Sequence, residues 1–311
     1  MESIIRDTPL VSIILNTRNR SKILSRAINS ALNQSYSNFE LIVVDGASTD
    51  NTKDVVMEFS KVDRRVKYLY VTENKNAAYC LNLGFKEANG EFIAILDDDD
   101  EFLPTKIEKQ VDLMISGGES LGIVYCWEEY WDDKLDCSIK YGKEISKGDL
   151  YTKLLMGPCT GGGTLMLVRK AAIDKAGGYD DTIRFGSDYQ FNLNISKYFK
   201  HNFVPEVLVK THWNHEYVQS TTQPGGHVNY DAIIEYYEKI LSDHVIGFNQ
   251  FPRARIWHYK AIISAASRLG RYKIAFAYVY KGINLSMPIP VRIKFFYSSL
   301  RRIMISIIFR K

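Results

Sequence analysis

At 311 residues, with 46% hydrophobic and 24% charged side chains, the chain can bury one large core with or without an appendage, which excludes wholesale disorder. Its four cysteines, Cys80, Cys126, Cys137 and Cys159, form no C-x-x-C pair, which argues against a cysteine zinc site and a disulfide framework and leaves reduced thiols as the expectation. The net charge of +4 conceals a split: His244 to Lys311 holds 13 basic and no acidic residues, against 27 basic and 36 acidic before it, so the tail is expected to face something anionic.

The chain opens with Glu2, Arg6 and Asp7 and no apolar run before Leu10, so no signal peptide is expected. Leu10 to Leu15 is short, apolar and rich in β-branched residues, as a central strand requires. After the polar segment Asn16 to Arg20, Ile23, Leu24, Ala27, Ile28, Ala31 and Leu32 recur at helical spacing. Phe39 to Val44 predicts a second strand ending in Asp45-Gly46, and Ser48-Thr49-Asp50 a helix start. Val66 to Val71 predicts a third strand, Asn76 to Ala88 a helix, and Phe92 to Leu96 a fourth strand running into Asp97-Asp98-Asp99-Asp100. This alternation argues for a parallel, doubly wound sheet, whose ligands bind at the carboxyl ends of the strands.

Beyond Pro104 the pattern is mixed. Gly122 to Trp127, Thr164 to Val168 and Val207 to Trp213 read as strands, and Tyr189 to Phe199 as a helix. From Tyr230 the chain reads as helical, with Ile256 to Leu269 and Tyr272 to Leu285 as a hairpin broken at Gly270. Pro290 to Lys311 mixes Arg292, Lys294, Arg301 and Arg302 with dense aliphatic and aromatic residues. That is too charged to span a bilayer and suits the interface of an anionic one, although a docked terminal helix or a dimer contact fits the same pattern.

Four successive aspartates repel one another, and a divalent cation removes that cost. Alone, the run fits equally well an acidic turn before the helix near Pro104. Its position decides the reading, because Thr17, Arg20 and Asp45 leave the first two strands at the same predicted edge.

Several segments then resemble glycosyltransferase family 2. They are Val11-Ser12-Ile13-Ile14 leading to Thr17, Asn19 and Arg20; Leu32-Asn33-Gln34-Ser35-Tyr36; Glu40 to Asp50; Asn74, Asn82 and Gly84; Gly90 to Asp100 with Pro104; and Gly177-Gly178-Tyr179-Asp180-Asp181. The likeness covers roughly residues 9 to 220. It implies the GT-A fold, a Rossmann-like, mostly parallel sheet over residues 1–240, with residues 241–311 as a basic helical extension. It also implies inverting transfer from a nucleotide sugar, expected to be UDP-linked, to a hydroxyl of a saccharide, lipid-linked or part of a surface glycan.

By the same resemblance Asp45 reads the donor base, with Thr17, Arg20, Asn76, Asp97 and Asp98 also binding donor. Asp97 and Asp99 form the D-x-D pair that holds Mn²⁺ or Mg²⁺, His215 is a further metal ligand, and Asp188 is the general base. Helix capping by Ser187-Asp188 is the competing reading for that last residue. The implied place of work is the cytoplasmic face of the membrane, with no nucleic-acid partner and an oligomer compatible with the chain. Two rivals stay open: a polyprenyl-phosphate glycosyltransferase, whose phosphate acceptor needs no strong base, and a nucleotide-sugar-binding protein without turnover. A nucleotidyltransferase ranks last, since Asn16 to Arg20 contains no glycine.

Overall fold

Strand and helix alternate through the first hundred residues, as the apolar periods require. The computed structural model describes residues 8–142, 146–183, 186–213 and 229–308. In chain order it forms β1 (Val11–Thr17), α1 (Ser21–Leu32), β2 (Phe39–Asp45), α2 (Thr52–Val62), β3 (Val66–Tyr70), α3 (Ala77–Glu87) and β4 (Phe92–Asp97). There follow β5 (Asp100–Phe102), α4 (Lys106–Ser116), β6 (Leu121–Asp132), β7 (Cys137–Gly142), α5 (Tyr151–Leu155), β8 (Leu167–Arg169) and α6 (Lys170–Ala176). The last elements are α7 (Ser187–Ile195), β9 (Lys200–Trp213), α8 (Tyr230–Asp243), α9 (Val245–Gln250), α10 (Arg255–Arg268), α11 (Tyr272–Ile283) and α12 (Ile289–Ile308).

The chain divides into two units. The first, residues 1–150, 159–181 and 191–217, carries the sheet, in the order β3-β2-β1-β4-β8-β6-β9-β5 with β7 beside β6. β3, β2, β1 and β4 run parallel, and β8 is antiparallel to both β4 and β6. Covered on both faces, β1 and β2 are buried almost throughout, which is why they read as unbroken apolar runs. α1 turns Leu24, Ala27, Ile28 and Ala31 inward at helical spacing. Register sets the site: Thr17 lies beside Asp45, and Asn16 beside Asp97.

Several strands differ from the predicted ones. β6 and β9 are longer than Gly122–Trp127 and Val207–Trp213, because they pair with each other as far as Asp132 and Trp213. The expected strand at Thr164 starts only at Leu167, since Gly163–Leu165 is a 3₁₀ turn. The aspartate run is not one loop either, because Asp100 pairs with Thr211 as the first residue of β5.

The second unit, residues 151–158, 182–190 and 218–311, is helical where described. Tyr236, Ile240, Phe248, Ile262 and Ile263 are among its buried residues. His258 is buried and its Nε2 donates to the Leu155 carbonyl at 3.0 Å; burial lowers it to about 4, which leaves the ring neutral at pH 7. α12 packs on α10 and α11 through Phe295, Ser299 and Ile303. Gly282 permits this, since a methyl group there would strike the Phe295 ring.

Candidate functional site

The carboxyl ends of β1, β2 and β4 bring Thr17, Asp45 and Asp97 level at one sheet edge. The loops that follow β1 and β2 are fastened together. Asn19 N–H donates to Ser48 Oγ at 2.8 Å, Thr49 N–H to Asn19 Oδ1 at 2.7 Å, and Ser21 N–H to Asp50 Oδ2 at 3.1 Å. These bonds hold two left-handed residues, Asn19 at φ 53° and Ala47 at φ 60°. Asparagine tolerates that region, whereas alanine pays about 1–2 kcal/mol for it. Strain kept by its surroundings at a ligand edge is a mark of a functional loop. Asp45 is buried, accepting from Ser48 N–H at 2.8 Å and from the Tyr68 hydroxyl at 2.7 Å. Burial and that bond raise the Tyr68 hydroxyl far above its usual range, so it stays protonated and donates to Asp45.

The aspartates have distinct surroundings. Thr164 Oγ1 accepts from Asp97 N–H at 3.2 Å and donates to Asp97 Oδ2 at 3.0 Å, fixing that carboxylate as β4 ends. Asp98 and Asp99 both converge on Arg20 Nη1, at 2.8 and 2.7 Å. Burial pushes Asp98 up to about 6 although Arg20 opposes it and Asp99 adds to it. Burial also works against the Arg20 charge, but the two carboxylates carry its pKa above the ordinary value. Asp100, turned into β5, is raised well above the usual carboxylate range by burial and then by repulsion from Asp97 and Asp99. With Asp45, the edge therefore presents four carboxylates and the Arg20 guanidinium.

Among the described residues, no three His, Cys, Asp or Glu side chains converge to hold an ion by themselves. A cation bridging a diphosphate asks less, since one or two carboxylates suffice when phosphate oxygens and water complete the sphere. Asp97 and Asp99 fit that demand. So does Asn16 Oδ1, a buried acceptor with no hydrogen-bond partner, on the residue beside Asp97.

Behind the run stands a network that sequence reasoning missed. Arg26 Nη2 donates to the Asp99 carbonyl at 3.0 Å, and its Nη1 pairs with Asp133 Oδ2 at 3.2 Å. His212 is buried between Asp133 Oδ1, 2.5 Å from Nδ1, and Glu101 Oε1, 2.6 Å from Nε2. A carboxylate oxygen at each nitrogen fixes the ring between the two acids. Its bond to Glu101 is the main reason that carboxyl lies below its ordinary value. His212 is thus engaged by two carboxylates, while His215, the expected metal ligand, lies outside the described residues.

Other expected residues fall as follows. Asn76 caps α3, accepting from Tyr79 N–H at 3.0 Å and donating to the Asp181 carbonyl at 2.7 Å. Asn82 binds Tyr179 reciprocally, at 2.7 Å to its carbonyl and 2.8 Å from its N–H. A methyl group at Gly178 would collide with Asn82, which explains the second glycine of Gly177-Gly178-Tyr179. The glycine segment ahead of Thr164 is held too: Asn192 Nδ2 donates to Thr160 Oγ1 at 3.1 Å and to the Gly161 carbonyl at 3.3 Å. Asp188 lies half-buried in the first turn of α7, in the second unit, following Gly186, whose carbonyl accepts from Tyr236 Oη at 2.7 Å.

Comparison with known proteins bears on this geometry. The family model described as Glycosyl transferase family 2 matches residues 12–175. An uncharacterized glycosyltransferase, RP339, of Rickettsia prowazekii (strain Madrid E) is 33% identical over 213 residues, 66% of this chain and 64% of the relative. The Escherichia coli UDP-Glc:alpha-D-GlcNAc-diphosphoundecaprenol beta-1,3-glucosyltransferase WfgD is 43% identical over 114 residues, 37% of this chain and 44% of its own. The chain thus spans less than two thirds of these relatives' length. Among solved structures, S. aureus TarS 1–349 in complex with UDP-GlcNAc superposes with a TM-score of 0.59 at 16% identity, covering 94% of this chain and 81% of that one. The mannosyltransferase PcManGT from Pyrobaculum calidifontis, in complex with GDP-Man and Mn²⁺, gives 0.54 at 17% identity, covering 97% and 88%. At such identities these two structures speak for the fold alone.

Proposed function

The chain belongs to glycosyltransferase family 2, and from that premise we propose that it is an inverting, metal-dependent hexosyltransferase. Its sheet and flanking helices form a GT-A fold with a helical C-terminal region. The donor is a nucleotide sugar, UDP-linked in this proposal, and the acceptor is a hydroxyl of a lipid-linked or surface saccharide. The transferase domain is residues 1–240 and the basic extension 241–311. Work on the cytoplasmic face, at an anionic membrane surface reached through the C-terminal tail, completes the reading.

The observation that carries the proposal is the meeting of three strand ends, with Thr17 and Arg20, Asp45, and Asp97 to Asp99, at one edge. The name of WfgD supports a UDP sugar and a diphosphoundecaprenol acceptor, TarS was solved with UDP-GlcNAc, and PcManGT with Mn²⁺. Asp45, Thr17 and Asn76 line the nucleoside side. Asp97 and Asp99 would hold the ion, with His215 as a further ligand, and Asp97 and Asp98 would contact the donor. When bound, Mn²⁺ or Mg²⁺ would neutralise charge on the departing diphosphate. Arg20 adds a fixed positive charge at the same edge. Asp188 takes the proton of the acceptor hydroxyl as its oxygen attacks the anomeric carbon and the nucleoside diphosphate departs, which inverts that carbon.

Calorimetric titration of UDP sugars with and without Mn²⁺, with Asp99→Ala and Asp188→Asn beside the unaltered protein, tests the roles. Asp99→Ala should abolish the ion-dependent part of donor binding. Asp188→Asn should keep donor affinity and lose at least a hundredfold in transfer. Donor affinity and transfer both unchanged in Asp99→Ala would refute the metal assignment, and mild loss in Asp188→Asn would transfer the reading to a phosphate acceptor.

A further inference from the structure

α12 has two apolar faces, and among the described residues only one is covered. Phe295, Ser299 and Ile303 pack against α10 and α11, and Ser306 Oγ donates to the Ser267 carbonyl at 2.7 Å on the same side. A second stripe, Ile289, Ile293, Tyr297, Met304 and Ile308, recurs at spacings of four and seven and is exposed, from 50% at Ile293 to 68% at Ile308. A helix that docks by one face ordinarily shows a polar surface on the other. Here leaving these side chains in water forgoes burial of large apolar groups that lie side by side.

Charge identifies what covers them. Lys294 and Arg301, both exposed, lie along one border of the stripe, at the helical positions next to Tyr297 and Ile308. The whole segment from His244 to Lys311 has 13 basic residues and no acidic one. A second copy seated on this stripe would bring two such segments together with no local counter-charge. An anionic bilayer surface supplies both the apolar depth and the opposite charge. No described helix is long and apolar enough to cross a membrane.

We propose that α12 lies along an anionic lipid surface, its stripe from Ile289 to Ile308 sunk at the headgroup boundary and Lys294 and Arg301 on phosphate-bearing headgroups. This rests on the membrane part of the proposed function and is independent of its chemistry. Arg302, exposed on another side of the helix, adds to the long-range attraction.

The test is co-sedimentation of the full chain with vesicles of phosphatidylcholine alone and with one third phosphatidylglycerol, at low and high salt. Three proteins are compared: unaltered, Ile293→Ser with Tyr297→Ser and Met304→Ser, and Lys294→Gln with Arg301→Gln and Arg302→Gln. All six positions are exposed, so the fold is retained, which thermal melting verifies. The unaltered chain should bind only the anionic vesicles. The triple glutamine protein should bind about a hundredfold more weakly, at about fivefold per charge, and the triple serine protein at least tenfold more weakly. Equal binding to both vesicles, or unaltered binding by the serine protein, overturns the proposal. So does a dimer in light scattering that the serine substitutions dissolve while vesicle binding persists. Donor calorimetry on the same three proteins separates this from the transferase reading: unaltered donor affinity with lost vesicle binding supports the docking face, whereas vesicle binding without donor affinity supports it and counts against the transferase.

Discussion

Replacing Arg20 by glutamine removes a positive charge held against two carboxylates, and its cost can be worked from their burial. The side chains of Arg20 and Asp98 are 15% and 8% exposed, and their atoms meet at 2.8 Å. Removing one partner of such a buried pair typically costs about 3–5 kcal/mol, because the other charge is stranded. The partial exposure of Arg20 places the expectation near the lower figure, about 3 kcal/mol at pH 7.5. Asp98 gives the pH dependence. Its folded pKa, about 6 with Arg20 present, stands above the ordinary 3.8, so the folded chain holds this proton more tightly than the unfolded one. The contribution of Asp98 to stability therefore rises as pH falls from above 6 toward 3.8. At pH 5 the Asp98 carboxyl is largely neutral, and Arg20→Gln should lose the partly exposed pair with Asp99 and its hydrogen bonds, about 1 kcal/mol. Thermal melting without metal or donor should show Tm lowered by about 6–12 °C at pH 7.5 and about 2–4 °C at pH 5. An equal fall at both values, or one below about 1 kcal/mol at pH 7.5, would refute the claim that Asp98 is ionised, buried and held by Arg20.

Thr164→Val keeps the shape but removes both bonds to Asp97. Steady-state assay with a UDP sugar should show kcat about tenfold lower, with Thr164→Ser close to the unaltered protein. His201 and His258, buried and lowered from 6.5 to about 4, are neutral in the folded chain and must charge when it unfolds. Their contribution is whole above pH 6.5 and is lost as pH falls toward 4, by up to about 3 kcal/mol each. Urea midpoints measured between pH 7 and pH 4.5 should show this fall, and His258→Asn should make it shallower.

Much of the parallel half of the sheet was legible because it is buried on both faces. Runs such as Ile13-Ile14-Leu15 and Leu41-Ile42-Val43-Val44 have no polar alternation to confuse their reading. The second half owes its strands to partners. Cys137–Gly142 is largely exposed and becomes β7 by pairing with β6, and Asp100-Glu101-Phe102 becomes β5 by pairing with β9. No local pattern announces either. At the site, motif spacing located Arg20, Asp45 and the aspartates. It could not give the Thr164 clasp, 67 residues from Asp97, or His212, whose partners lie 79 and 111 residues away. Such contacts exist only once the chain has folded.

The acidic turn is tied at both ends, Asp97 in β4 and Asp100 in β5. Only Asp98 and Asp99 bridge two strands whose neighbours fix their phase. One extra residue there would turn every β5 side chain to the opposite side of the sheet, carrying Glu101 away from His212. This corner is therefore fixed in length as well as in its proposed ion- and donor-binding side chains, so diversification toward new sugars has to come from the surrounding walls.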